Sequence, residues 1–196
     1  MTAVTSLTKV LAPKVSLICQ DIELGPEATL CLQADPEPVV FLNALLEQNL
    51  YIDAVRFMAR ALPKREAVWW ACLCAHSTVN EHSPPALLNA LRVAEAWVYQ
   101  PSETNRREAD TAAHAANFDN AVAWAAIAAF WSEGSMVAEH LPAVPAADNL
   151  AAKAVAGAVM LAAVQQPADK IQARYQFFVQ QAIDIANGGN GQLWQG

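Results

Sequence analysis

Apolar positions recur at helical spacing from about residue 36 to residue 187, and alternation with period two is scarce. In "DPEPVVFLNALLEQN" (35–49) the apolar set is Val40, Leu42, Leu45 and Leu46; in "LYIDAVRFMARAL" (50–62) it is Ile52, Val55, Phe57 and Met58. Pro63 opens the next helix, "KREAVWWACLCAHSTV", because proline is tolerated in a first turn. "SPPALLNALRVAEAWVYQ" and "PSETNRREADTAAHAAN" begin with similar Ser-Pro or Pro-Ser starts. "FDNAVAWAAIAAFW" begins near an Asp cap and stops before Gly134. "PAADNLAAKAVAGAVMLAAVQQ" and "PADKIQARYQFFVQQAIDIANGG" complete the series, the last ending at Gly188.

The pattern predicts an all-α single domain of eight to ten helices, packed as antiparallel hairpins because most connections are short. Residues 1–35 read as an N-terminal helical or irregular segment, 36–187 as the helical domain, and 188–196 as a flexible Gly-rich tail. The long connection, "SEGSMVAEHLPAVP" (132–145), reads as an extended loop over the surface. Three segments, "EAVWWACLCA", "NAVAWAAIAA" and "KAVAGAVMLA", share Ala-Val, then Trp-Ala or Gly-Ala three positions after the first Ala. Their unequal spacing is no solenoid period, but small residues let helices approach closely, so these three are expected at the centre.

Composition narrows the class. The 196 residues are 55% hydrophobic, yet much of that is alanine, so the chain is helix-prone rather than greasy. The most apolar windows, "AVAWAAIAAFW" and "AVAGAVMLAAV", are about half the ~20 residues a bilayer requires. The N-terminus lacks the basic start and continuous apolar run of a signal peptide, so a cytoplasmic location without membrane insertion is expected. Cys19, Cys31, Cys72 and Cys74 are expected as reduced thiols rather than a disulfide framework. The net charge of −7 argues against nucleic acid as a partner. Its distribution says more. Residues 15–55 carry seven acids and residues 108–152 six, neither with any Lys or Arg, while Arg56, Arg60, Lys64 and Arg65 fall within ten positions.

Candidate chemistry is thin. Cys72 and His76 share a helix face, but Cys74 lies about 160° away from Cys72 around the helix, so the three do not converge on an ion. Asp110 and His114, at i and i+4, are the components of a general base, yet no nucleophile motif accompanies them; with Glu103, Arg106, Arg107 and Glu108 they read as a polar, solvated face. "GGNG" follows a helix rather than joining strand to helix, so it is no phosphate loop. No catalytic set, metal or cofactor is expected. Two recognition features remain. Lys64 and Arg65 occupy a first turn, where the helix dipole disfavours cations, so the basic cluster calls for acidic partners, either in the acid-rich segment before residue 55 or on another protein. Trp194, after the glycines, either docks back or anchors a partner. Trp69 and Trp70 belong to a helix apolar on every side and are read as core.

At "ALPKREAVWWACLCA", "AFWSEGS", "LPAVP" and "AKAVAGAVMLAA" the chain resembles an uncharacterised bacterial all-helical family whose members often accompany type VI secretion genes. The resemblance covers roughly residues 36–165, and "PKREAVWWA" is its most specific part. It implies a cytoplasmic adaptor or chaperone, with a secreted effector or secretion component as partner, and carries no catalytic residues with it. The expectation is therefore a non-enzymatic protein-binding protein using Arg56, Arg60, Lys64, Arg65 and Trp194. The alternatives are an immunity-type protein that neutralises a toxin, which an acidic surface suits, or a hydrolase-like enzyme built on Asp110 and His114.

Overall fold

The computed structural model describes residues 3–138, 140–165 and 167–193, and these form ten α-helices with a single isolated bridge between Ser135 and Pro145. The two short helices α1 (Val15–Cys19) and α2 (Pro26–Cys31) precede α3 (Pro38–Glu47), α4 (Tyr51–Ala61) and α5 (Lys64–His76). Then come α6 (Pro85–Tyr99), α7 (Glu103–Ala115), α8 (Ala121–Trp131), α9 (Leu150–Ala163) and α10 (Ile171–Ala186). From α3 onward each helix packs on the next, and the chain is all-α with one core. Among the described residues, no helix is long and apolar enough to cross a membrane.

Local chemistry sets the helix starts. Pro26, Pro38 and Pro85 open their helices, where the missing N–H costs nothing. The Ser102 hydroxyl accepts from the Asn105 N–H at 3.2 Å to cap α7. The cap of α8 is Asn120 rather than the expected Asp119: its side-chain oxygen accepts from the Ala123 N–H at 2.9 Å, while its amide reaches back to the Ala116 carbonyl.

The three Ala-Val segments do form the centre, since α5, α8 and α9 pack on one another. Helix α8 is buried at every position except Trp124 and Trp131, and it touches α5, α6, α7 and α9. Such contact on all sides requires small side chains. At Gly157 of α9 a methyl group would already stand 3.4 Å from the Trp124 ring.

Two features depart from the sequence reading. The first is Arg106, expected on a solvated face and in fact wholly buried. Its guanidinium forks onto Glu103 at 2.6 and 2.7 Å, donates at 2.8 Å to the carbonyls of Phe130 and Ser135, and lies 4.5 Å over the Phe130 ring. Together with Arg107, which donates to the Val137 carbonyl at 2.8 Å, it ties the 132–145 connection to the helices. Instead of running extended, that connection closes on itself, with the Met136 N–H donating to the Val144 carbonyl at 2.8 Å. Gly134 sits there at φ +68°, and any Cβ would fall 2.9 Å from the Arg106 guanidinium.

Hydrogen bonds from Arg106, and less so Arg107, outweigh partial burial and hold the Glu103 carboxyl at about 2 instead of 4.5. A group with a depressed folded-state value stabilises fully above its unfolded value and loses that contribution as pH falls through its folded one. Stability should therefore drop between pH 4.5 and about 2 more steeply in the native chain than in Glu103→Gln. Parallel losses in a thermal-melt series over that range would mean this carboxylate does not govern the acid limb.

The second departure is at the C-terminal glycines, expected to begin a flexible tail. Residues 188–193 fold back over α5. Asp184 accepts from the Gly191 N–H at 2.9 Å, the Gln181 amide donates to the Gly191 carbonyl at 2.9 Å, and the Trp69 indole donates to the Asn190 carbonyl at 2.7 Å. A Cβ at Gly189 would fall 2.0 Å from the Asp184 carboxylate, so a side chain there would displace the group that holds the Gly191 N–H. Helix α5 is correspondingly not buried all round: Trp69 and Leu73 form a half-exposed stripe beneath this turn. Trp194 lies outside the described residues.

Candidate functional site

The basic cluster expected between residues 56 and 65 divides into separate jobs. On α4, Asp53, Arg56 and Arg60 follow one another at helical spacing and clamp the loop between α1 and α2. Asp53 accepts from the Gly25 N–H at 2.8 Å, Arg56 donates to the Glu23 carbonyl at 2.7 Å, and Arg60 meets the Asp21 carboxylate at 3.3 Å. The acid-rich segment before residue 55 thus supplies internal partners for both arginines. Arg65 turns the other way and donates to the Val98 and Tyr99 carbonyls, satisfying the C-terminal end of α6. Lys64 is exposed and has no ion pair among the described residues.

Between this loop, α4 and α9 opens a cleft of about 260 Å³. Arg56 and Arg60 line one wall, Lys153 and Asn149 the other, with Ile22, Ala156 and Met160 as apolar floor. A smaller extension, of about 30 Å³, which shares Arg60 and Ala152 with the cleft, runs to Lys64 and Asp148. Lys153 is exposed and, like Lys64, has no ion pair among the described residues. The sequence reading missed it, although the signal was the one that singled out Lys64: a cation in the first turn of its helix, where the dipole disfavours it. The loop already laid on this surface carries Asp21 and Glu23, so the cleft is adjacent to an example of what its cations accept, an acidic stretch of polypeptide offering carboxylates and carbonyls.

A second concavity, of about 450 Å³, lies where α7, α8 and the 132–145 connection meet. It contains Asp110 and His114, 3.5 Å apart, with the histidine ring more than half exposed. The other lining residues are hydrophobic and include no serine, threonine or cysteine.

The cysteines and His76 are held inside the fold or in internal pairs. All four cysteines are free, with Cys72 and Cys74 fully buried. Burial pushes both of these thiols far up, and burial followed by the nearby Asp21 charge pushes Cys19 to about 12. His76, the i+4 neighbour of Cys72, pairs instead with Glu95 at 2.6 Å, a hydrogen bond that raises its pKa. Among the described residues, no three His, Cys, Asp or Glu side chains are grouped to hold a metal ion.

A family model described as a family of unknown function, DUF6931, matches residues 41–186. The chain belongs to this family. The matched span starts within α3 and runs to the end of α10, further than the resemblance read to residue 165. Both walls of the cleft formed by α4 and α9 belong to the family's span, whereas the acidic loop seated beside them lies outside it. No curated protein and no solved structure matches the chain.

Proposed function

We propose that the chain is a non-enzymatic accessory protein of the bacterial cytoplasm that binds an acidic segment of another protein in the α4–α9 cleft. One observation carries this reading: among the described residues Lys153, in the cleft wall, and Lys64, on its extension, are exposed and without ion pairs, while the cleft's arginines already hold a segment bearing Asp21 and Glu23. Unpaired cations beside an apolar floor are poised for charge-assisted contacts, and the open mouth suits a peptide better than a sealed small-molecule pocket. The resemblance read from the sequence supports an adaptor or chaperone working beside type VI secretion, with an effector or secretion component as the partner.

The test is a pull-down with the native chain and with Lys64→Glu/Lys153→Glu, at low and moderate salt. Both lysines are exposed, so the double variant should melt like the native protein and lose the captured protein. Capture by the native chain should also weaken with salt, since exposed charges are screened over about 10 Å at 0.1 M. A partner retained equally by the double variant would remove the cleft from the interface.

A further inference from the structure

The concavity between α7 and α8 is built differently from the cleft, and its construction is independent of that reading. Its aromatic side chains are locked into a ladder. The Trp124 indole donates to the Phe118 carbonyl at 2.9 Å, and Phe118 stands edge-on to Trp124 at 5.8 Å and to His114 at 5.3 Å. Trp131 and Met136 close the far side, and Phe118 and Met136 are each more than a third exposed. Val144, the backbone partner of Met136 in the folded-back connection, is exposed as well. A rigid aromatic surface loses little side-chain entropy when covered, which is why such residues anchor interfaces.

Its lining carries one carboxylate and no Lys or Arg. That carboxylate, Asp110, lies 3.5 Å from the exposed His114 ring. The nearby cations, Arg106 and Arg107, are taken up by Glu103 and lie over Phe130 at 4.5 and 5.6 Å. An aromatic concavity with a carboxylate and no Lys or Arg in its lining suits a guanidinium or ammonium stacked on an indole, with an aliphatic neighbour on the rings beside it.

We propose that this concavity is a second docking site, which takes a partner segment carrying an arginine or lysine next to an apolar side chain. The chain then presents two faces of opposite preference: α4–α9 for an acidic segment, and α7–α8 for a basic, apolar one.

A random dodecamer phage library panned on the full chain, with Asp110→Lys protein as soluble competitor, tests this directly. Enriched peptides should carry Arg or Lys within two positions of Leu, Ile, Met or Phe. Their synthetic forms should shift the Trp124 and Trp131 indole N–H resonances. Binding should fall at least tenfold in Asp110→Asn and in Met136→Lys, two exposed or partly exposed positions whose variants should keep the native melting temperature. Four results would overturn the proposal. They are absence of enrichment, enriched peptides without a basic residue, and binding lost in Lys64→Glu/Lys153→Glu but not in Asp110→Asn. The last is a concentration-dependent dimer abolished by Met136→Lys, which would make a second copy of the chain the occupant.

Discussion

Trp70→Ala is expected to cost about 3–5 kcal/mol of unfolding free energy, while Trp69→Ala costs about 1 kcal/mol. The residues are adjacent in sequence and opposite in fate. Trp70 is wholly buried between α5 and α10, and its indole donates to the Phe178 carbonyl at 2.8 Å. Truncation removes a large apolar surface, opens a cavity in a close-packed centre and leaves that carbonyl without its donor. Trp69 is half-buried, packs at a tilt against Tyr99 with ring centroids 5.9 Å apart, and donates to the Asn190 carbonyl. Its loss should loosen the 188–193 turn more than the fold, which would show as faster amide exchange there. Urea melts of the two variants with unchanged slope decide the ranking. A Trp69 variant as damaged as Trp70→Ala would mean that the C-terminal turn is part of the core.

The second large effect is expected at Arg106. Arg106→Met keeps much of the side-chain volume but removes every donor, and should destabilise by about 2–3 kcal/mol. The carbonyls of Phe130 and Ser135 lose a partner in a buried place, and Glu103 keeps only Arg107. The penalty sits at the low end for a buried ion pair because Glu103 is 45% exposed and water can take it over. Because Arg106 also ties down the 132–145 connection, this variant should expose Ser135–Val144 to limited proteolysis under native conditions. Arg106→Lys, which retains the charge without the fork, should recover only part of the loss.

What the sequence disclosed, and what it hid, follows from the range of the forces involved. Helical periodicity is a local property, so α3 through α10 were legible, as was the central trio, whose alanines announce close approach. Arg106 was not legible, because its burial depends on two carbonyls 24 and 29 residues away. The C-terminal turn misled for the same reason: glycine runs commonly mean freedom, and only Asp184, Gln181 and Trp69 together make this one a fitted piece. At the cleft, the four clustered cations stood out in the sequence, but their neighbourhood there concealed a split. Two hold the N-terminal loop, one finishes α6, and Lys64 faces outward toward a groove completed by a lysine 89 positions later.

The make-up of α8 bears on how surfaces of this protein are to be mapped. Six of its eleven residues are already alanine, as are many of those it meets on α9, and nearly all are buried. An alanine scan is silent at such positions, since it removes nothing. The informative change is growth rather than deletion: a single added isopropyl group has no gap to enter and must push two backbones apart. Sequence drift in these helices is therefore bounded from above, by volume, where a leucine-rich bundle is bounded mainly from below.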